Sequence, residues 1–313
     1  MRAEQEHKST ELILELPGQD PVPLRAVQLR CLEILDVFDD FCRRHHLQYS
    51  LCGGCCIGAL RHGGFIPWDD DVDVHMPRRD YERLTELWPQ EQGLARYQLC
   101  RTGPGAFYDT MLTAIVDTET CFVKRGQEKL DIPHGLRLEV IPLDGAPEGR
   151  WARRRQLIWA LLFYLYNREF APENRGALAA VLGRIALALA PFRSWRTRLW
   201  QLAERRMSRY QAEETGYWTE LCVTWKYMRQ RYPYAVFAGT REEDFEGRKL
   251  PLPVQAEAYL QQAFGAYMEL PPEEQRRPKH EALLLDPDQS YRVYQDRLEL
   301  LRQTASAERD EKG

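Results

Sequence analysis

The hydrophobic pattern of the first half of the chain alternates between helical and strand-like periods. Apolar side chains recur at helical spacing between positions 22 and 46, which predicts an amphipathic helix. Residues 48–52 predict a short strand and residues 56–62 a short helix, with a glycine pair between them. The alternating sequence DVDVH at 71–75 predicts another strand, and Pro77 is expected in the first turn of the next helix.

Further strand patterns cover residues 110–117, 120–124 and 136–141. The sequence DTE between the first two predicts a hairpin. From about residue 147 the strand patterns fade, and helical patterns continue to about residue 230. Residues 245–253 then predict a loop, because glycine and proline interrupt them, and residues 254–264 predict a helix.

This order of elements predicts an α/β (α+β) fold, with a mixed sheet core followed by a mostly helical C-terminal half. The chain is long enough for one large domain or for a domain with an insertion. We predict a core at residues 22–147, a helical region at 148–240, a C-terminal segment packing back on the core at 241–290, and flexible ends at 1–21 and 303–313.

Composition excludes several classes of protein. Of the 313 residues, 44% are hydrophobic and 29% charged, so the chain can bury a core and wholesale disorder is excluded. A net charge of −4 does not favour nucleic acid as a partner. The charged N-terminus lacks the features of a secretory signal, so we expect a cytoplasmic protein whose eight cysteines are reduced.

Two apolar segments of the helical region allow two interpretations. Residues 156–167 follow the basic sequence RWARRR at 150–155, and Arg184 interrupts the apolar residues 177–192. Neither segment reaches the roughly 18 uninterrupted apolar residues of a membrane-spanning helix. They are either two core helices or an element at the inner face of the membrane, where basic side chains contact lipid headgroups.

An acidic cluster carries the chemistry that the sequence predicts. Four aspartates lie within WDDDVD at 68–73, and strand alternation places Asp71 and Asp73 on the same side. Crowded carboxylates repel one another unless cations are present. Carboxylates and substrate phosphates are the usual ligands of Mg²⁺, and this arrangement suits phosphoryl transfer. A solvated loop is the alternative, which the apolar residues 65–68 and the buried-looking Val72 disfavour.

The glycine turn at Gly53 and Gly54 predicts an anion site. Glycine allows backbone N–H groups to approach a phosphate where a helix begins. Nearby cations that could contact phosphate oxygens are Arg61, Arg78, Arg79 and Lys124.

Other chemistry remains open at this point. Cys52 and Cys55 form a C-x-x-C motif beside Cys56, which is also typical of thiol–disulfide oxidoreductases. A zinc site would need four ligands, and the sequence offers no second C-x-x-C or H-x₃₋₅-H motif. A calcium loop starting at Asp69 would need glycine where Val74 stands.

The segment GALRHGGFIPWDDDVDVHMPRRDYERL, residues 58–84, closely resembles the signature of the LicD family. The sequence IPLDGAP at 141–147 resembles a second block of that family. FEGRKLPLP at 245–253 and YLQQAFGAYMELPPEEQR at 259–276 resemble its C-terminal block. The resemblance extends over about residues 22–290, although no quotable motif covers residues 150–235.

The resemblance implies a nucleotidyltransferase-like fold and a phosphotransferase. Such an enzyme moves a phospho-alcohol, such as phosphocholine or ribitol phosphate, from a CDP-linked donor to a hydroxyl of a surface glycan and releases CMP. The acceptor could be lipid-linked. The implied cofactor is Mg²⁺ or Mn²⁺, bound by the catalytic residues Asp71, Asp73 and Glu139. The implied nucleotide and phosphate contacts are Gly53, Gly54, Cys55, Arg61, His62, Trp68, Arg78 and Arg79.

Two departures from the family pattern keep alternatives open. Glu139 stands where the family usually has aspartate, and Cys55 where it usually has threonine or serine. A thiol is a poorer phosphate partner than a hydroxyl. The alternatives are a nucleotidyltransferase that makes a CDP-type donor and a nucleotide-binding relative without catalytic activity.

Overall fold

A seven-stranded mixed sheet forms the centre of the computed structural model, which describes residues 12–16, 18–103, 106–168, 190, 192–278 and 280–310. The strands are β1 (Ile13–Leu14), β2 (Val22–Pro23), β3 (Ser50–Leu51), β4 (Val72–Pro77), β5 (Tyr97–Cys100), β6 (Thr113–Asp117), β7 (Cys121–Lys124), β8 (Arg137–Gly145), β9 (Tyr217–Glu220), β10 (Tyr232–Pro233), β11 (Thr240–Phe245), β12 (Arg248–Pro253) and β13 (Ala282–Asp286).

The described helices surround this sheet. They are α1 (Leu24–Arg44), α2 (Gly53–His62), α3 (Arg78–Leu87), α4 (Arg150–Arg168), α5 (Arg193–Met207), α6 (Ala212–Thr215), α7 (Trp225–Met228), α8 (Ala256–Phe264) and α9 (Gln295–Asp310). Short 3₁₀ turns cover Trp88–Gln90, Tyr234–Val236, Glu273–Gln275 and Tyr291–Tyr294.

Strand β8 is long enough to pair with three neighbours. On one side it runs parallel to β4, whose far edge pairs antiparallel with β3. On the other side its first half pairs antiparallel with β6, which in turn pairs with β5. Its last residues pair antiparallel with β9, followed by β10. The parallel pair β4–β8 therefore lies in the middle of the sheet.

Alternation along β4 and β8 separates an apolar face from a charged one. Val72, Val74, Leu138 and Val140 are fully buried. They join one continuous core with α1, whose helical stripe includes the fully buried Phe38. The residues between them point the other way, because successive side chains of a strand alternate. The core thus supports one face of the sheet, and Asp73 and Glu139 lie on the other.

The hairpin β11–β12 fastens the loop before β4. The Glu246 carboxylate accepts hydrogen bonds from the Phe65 N–H at 3.1 Å and from the Arg25 guanidinium at 2.6 Å. The backbone N–H of Glu246 donates to the Gly63 carbonyl at 2.9 Å. From α1, the Gln28 amide donates to the Asp69 carbonyl at 2.9 Å. The loop that carries the acidic cluster is therefore held from both sides.

The predicted mixed α/β fold is confirmed, and the predicted hairpin at residues 110–124 is wrong. β6 pairs with β5 and β8, whereas β7 pairs with the distant β13. The turn residues 117–119 redirect the chain instead of folding β7 back on β6. β5, at Tyr97–Cys100, is four residues long, which is too short to show a clear strand period in the sequence.

The second half contains more strand than its pattern predicts. β9 and β10, within the region assigned to helices, extend the central sheet. Residues 245–253, which we predicted as a loop, contain β12 paired with β11. This hairpin tolerates Pro251 and Pro253 because it is a separate two-stranded sheet with free edges. Within the C-terminal segment, β13 pairs antiparallel with β7.

The predicted flexible ends are partly ordered. β1, which lies within residues 1–21, pairs with β2 just after them. Helix α9 continues to Asp310. Residues 1–11 and 311–313 lie outside the described part of the chain.

The helical region forms an antiparallel pair of helices. Gln156 of α4 donates to the Met207 carbonyl of α5 at 2.8 Å, and the rings of Phe163 and Trp200 lie 6.1 Å apart. The first predicted apolar segment lies in α4, and most of residues 177–192 lie outside the described residues. Among the described helices, none is long and apolar enough to cross a membrane.

Candidate active site

The register of β4 against β8 brings two of the predicted catalytic residues together. Asp73 pairs with Glu139, so their side chains lie side by side on the charged face of the sheet. Neighbouring strands are about 4.8 Å apart, which is the distance at which two carboxylates can share one cation. The long sequence separation of these residues is bridged by a single pair of parallel strands.

Asp71 precedes β4 and lies close enough to affect the other two carboxylates. Burial raises the pKa of Asp71, and the neighbouring Asp70 and Glu139 add to this effect. Burial, followed by Asp71 and Glu139, raises the pKa of Asp73 well above its usual range. Burial raises the pKa of Glu139, but the Arg137 guanidinium at 3.0 Å, Lys124 and His280 together outweigh burial, so this pKa is lowered overall.

The small sheet β7–β13 places two basic side chains beside the carboxylates. Lys124 at the end of β7 pairs with Ala282, and His280 lies just before β13. Burial, followed by Arg137, lowers the pKa of Lys124. Glu139 and Asp71 act in the opposite direction, but the pKa is lowered overall. The Lys124 ammonium lies 5.4 Å from the centre of the Phe122 ring, and that ring also contacts His280. Lys124, expected from the sequence as a nearby cation, is thus part of the site.

His280 is a site residue that the sequence did not predict. Its Nδ1 lies 3.0 Å from an Asp70 oxygen, and its Nε2 lies 3.7 Å from an Asp71 oxygen. Among the described residues, His280, Asp70 and Asp71 form a group whose ligand atoms lie within 4.8 Å of one another. The only available signal was a histidine close behind the C-terminal motif block.

An open cavity of about 550 Å³ adjoins these residues. Its wall includes Glu139, Lys124 and Arg137, together with Thr110 and Gln127 from the segments flanking the sheet. Met111, Leu112, Leu130, Val223 and Tyr164 add apolar surface. The cavity therefore offers cations for phosphate on one wall and apolar contacts on another.

The glycine turn makes close contacts within the protein. Gly53, at φ +50°, donates its N–H to the Tyr259 hydroxyl at 3.1 Å. An added Cβ on Gly54 would lie 2.0 Å from a carboxylate oxygen of Asp69. The anion at the start of α2 is therefore a side chain of the protein itself, which the helix dipole stabilises. Gly54 therefore allows Asp69 to approach the start of α2.

The cysteines of the turn are buried. Cys52, Cys55 and Cys56 are at most 2% exposed, and burial raises the pKa of all three thiols. Buried thiols with a raised pKa are poor nucleophiles, so the structure does not favour the oxidoreductase alternative. The Cys55 thiol donates weakly to the Asp71 carbonyl at 3.7 Å, which links the start of α2 to the acidic segment.

Arg61, His62 and Trp68 connect the site to the C-terminal segment. The Arg61 guanidinium donates to the Tyr267 carbonyl at 2.7 Å and to the His62 ring at 2.9 Å. Burial, followed by the adjacent Arg61, lowers the pKa of His62. The Arg276 guanidinium lies 5.8 Å from the centre of the Trp68 ring. Arg61 is thus hydrogen-bonded to the C-terminal segment, and Trp68 lies beside a cation of that segment.

Arg78 and Arg79 do not lie beside the acidic cluster, so their expected position is wrong. They follow the C-terminal end of β4, whereas Asp71 precedes its N-terminal end. Six strand residues at ~3.3 Å each separate these ends by roughly 20 Å. Arg78 instead makes two hydrogen bonds to Asp144, at 2.7 and 2.8 Å. Arg79 lines a different cavity.

The residues of the acidic cluster fit a divalent metal ion. Asp73 and Glu139 supply oxygen donors from two adjacent strands, and Asp71 supplies one from the residue just before β4. Burial, followed by repulsion from neighbouring carboxylates, raises the pKa of Asp71 and of Asp73, and a bound cation would relieve that repulsion. Oxygen donors with excess negative charge are what Mg²⁺ and Mn²⁺ require.

Comparison with known proteins finds a family match in the region that contains the acidic cluster. The family described as LicD/FKTN/FKRP, nucleotidyltransferase domain, matches residues 46–107, which include Asp71 and Asp73. A lipopolysaccharide cholinephosphotransferase LicD of Haemophilus influenzae is 30% identical over 82% of this chain and 96% of its own length.

Shorter matches occur in two other bacteria. An uncharacterized protein of Rickettsia prowazekii is 31% identical over 18% of this chain and 24% of its own length. An uncharacterized protein of Rickettsia typhi is 34% identical over 15% of each chain. The long match to the Haemophilus protein, taken with the domain match, confirms the resemblance: this chain belongs to the LicD family.

Proposed function

We propose that this protein is a metal-dependent phosphotransferase, which moves phosphocholine or a similar phospho-alcohol from a CDP-linked donor to a glycan hydroxyl and releases CMP. The similarity to a lipopolysaccharide cholinephosphotransferase over nearly the whole chain supports this class of reaction. It also makes lipopolysaccharide the first acceptor to test.

The observation that carries the proposal is the pairing of Asp73 with Glu139 next to Asp71. We propose that these carboxylates hold Mg²⁺ or Mn²⁺, which supplies charge neutralisation for the pyrophosphate of the donor. His280 lies between Asp70 and Asp71, at 3.0 and 3.7 Å, and is placed to orient both carboxylates, in the manner of groups that support metal ligands.

The side chains of the cavity suit the two substrates. Lys124 and Arg137 provide positive charge where donor phosphates would enter. Glu139 lies on the cavity wall, so it is placed to accept the proton of an acceptor hydroxyl as that oxygen attacks the phosphorus. Its lowered pKa keeps it ionised at neutral pH, and a weakly basic carboxylate suffices in phosphoryl transfer.

The test uses CDP-choline labelled separately in choline and in cytidine, with lipopolysaccharide and Mg²⁺. We expect choline label on the lipopolysaccharide and stoichiometric CMP in solution. Cytidine label on the acceptor would instead indicate nucleotidyl transfer. If neither label is transferred across a panel of CDP-alcohols and acceptors, while the donor still binds, the chain is a non-catalytic relative and the proposal fails.

A further inference from the structure

The helices α4 and α5 carry a concentration of positive charge that the active site does not use. Their sequences contain ten arginines and one glutamate. The whole chain has a net charge of −4, so the remainder of the protein is distinctly acidic. The single glutamate, Glu204, forms ion pairs with Arg78 at 3.1 Å and with Arg101 at 2.5 Å.

The exposed face of α4 combines this charge with apolar side chains. Trp151 is 76% exposed and Ile158 is 56% exposed. Arg154 and Arg155 lie between them at helical spacing and are also exposed. The Arg154 guanidinium lies 5.0 Å from the centre of the Trp151 ring.

The opposite face of α4 is buried in the protein. Gln156, Ala160 and Phe163 are fully or nearly fully buried there. The helix is therefore fixed by its inner face, and the exposed tryptophan and isoleucine are not needed for its packing. The antiparallel helix α5 presents a similar exposed row of Trp195, Arg198 and Leu199.

A basic cavity of about 290 Å³ opens beside α4. Its wall consists of five arginines with one glutamate and one leucine, the charged residues being Glu148, Arg150, Arg153, Arg154, Arg229 and Arg231. Arg153 is buried, and burial followed by the adjacent Arg231 lowers its pKa to about 10. Among the described residues, no carboxylate lies within ion-pair distance of Arg150, Arg154 or Arg229, so these cations are available to an external anion.

We propose that the exposed faces of α4 and α5, together with this cavity, dock on an anionic lipid surface. Arginines bind the phosphates of lipid headgroups, and tryptophan and isoleucine on the same face insert at the interface. A soluble polyanion would account for the arginines alone, but not for exposed apolar side chains interspersed among them. The proposal does not rest on the transfer reaction.

The test is co-sedimentation of the purified full-length protein with phospholipid vesicles. We expect binding to vesicles of equimolar phosphatidylcholine and phosphatidylglycerol, a decline of binding with salt, and no binding to phosphatidylcholine alone. The double substitution Arg150→Glu with Arg154→Glu should weaken binding by about tenfold or more. Trp151→Ser should weaken the part of the binding that persists at high salt.

A matched pair of substitutions controls for net charge. Arg79 and Arg277 are exposed and form no ion pair among the described residues, so Arg79→Glu with Arg277→Glu changes the charge equally at other places. We expect this control to change binding by less than about twofold. Circular dichroism melting verifies that each variant folds. If Arg150→Glu with Arg154→Glu does not fold, Arg229→Glu tests the same cavity.

Three results would overturn the proposal. The first is an absence of binding to anionic vesicles by the wild-type protein. The second is equal weakening by the control pair, which would show that overall charge acts instead of this surface. The third is binding to DNA or polyphosphate in solution without binding to vesicles, which would assign the arginines to a soluble polyanion.

Discussion

The two ends of the strand pair β4–β8 both carry buried charges, but only one end balances them. At the C-terminal end, Arg78 and Arg101 face Asp144 and Glu204, so the charges match. Burial lowers the pKa of Arg78, but Asp144 and its other partners raise this pKa well above its usual value. At the N-terminal end, the carboxylates outnumber Lys124 and Arg137, and the pKa of Asp71 and of Asp73 is raised.

This difference distinguishes a structural ion pair from a binding site. A buried charge that meets its partner within the chain contributes to one stable arrangement, and removal of the partner is costly. Buried charges in excess destabilise the protein until an external ion neutralises them. Substitutions at the two ends should therefore have opposite effects on stability and on activity.

The largest expected effect is on activity at the unbalanced end. Asp73→Asn should lower the transfer rate by at least about 10³-fold, or roughly 4 kcal/mol in the barrier, because a ligand of the proposed metal is lost. The free energy of unfolding in the absence of metal should stay equal or rise, since mutual repulsion decreases. Initial rates with CDP-choline and urea unfolding measure the two quantities.

Asp244→Asn is the matched control for that prediction, because Asp244 is an exposed carboxylate paired with Lys249 on the hairpin β11–β12. Its rate should equal that of the wild type. A rate of Asp73→Asn near the wild-type rate would contradict the assignment of the site.

The next effect is on stability at the balanced end. Arg78→Met should lower the free energy of unfolding by about 3–5 kcal/mol, because Asp144 would remain buried without its partner. The double variant Arg78→Met with Asp144→Leu should recover most of this loss in urea unfolding. A single variant as stable as the wild type would show that the ion pair is not what balances this end.

A smaller effect is expected at Lys124. Lys124→Met removes a cation from the cavity wall, so kcat/KM for the CDP-linked donor should fall by about 10- to 100-fold, as for loss of a charged hydrogen bond. Lys249→Met, at an exposed ion pair, should leave kcat/KM unchanged. Equal values for Lys124→Met and the wild type would exclude Lys124 from donor binding.

The smallest effect is expected at His280. His280→Ala should weaken metal affinity by about tenfold, because Asp70 and Asp71 lose the group that orients them. Saturating Mg²⁺ should restore the rate, and His280→Asn should retain more affinity, since its amide can still reach Asp70. A rate loss in His280→Ala that no Mg²⁺ concentration relieves would show a role other than metal positioning.

The sequence predicted the local parts of this site better than their assembly. The alternation in β4 selected Asp71 and Asp73, and the resemblance to the family added Glu139. The parallel register that pairs Asp73 with Glu139 depends on tertiary packing, which local patterns do not encode. The same holds for β7 and β13, whose pairing brings His280 to the site from a region with no strand pattern.

Other features of the structure also depend on tertiary packing that local sequence patterns do not encode. Gly54 provides space for the close approach of Asp69, which only the folded structure reveals. Arg78 is close to Asp73 in sequence, yet the strand between them carries it to the opposite end of the sheet. The prolines of β12 suggested a loop, although a strand of a two-stranded sheet accepts them.

The most direct test of the central claim is a calorimetric titration of Mg²⁺ or Mn²⁺ into the protein with a CDP-linked donor present. Three proteins are compared: the wild type, Asp73→Asn at the unbalanced end and Glu204→Gln at the balanced end. We predict saturable metal binding in the wild type and in Glu204→Gln, and its loss in Asp73→Asn. Equal binding by all three, or no binding by the wild type, would contradict the account.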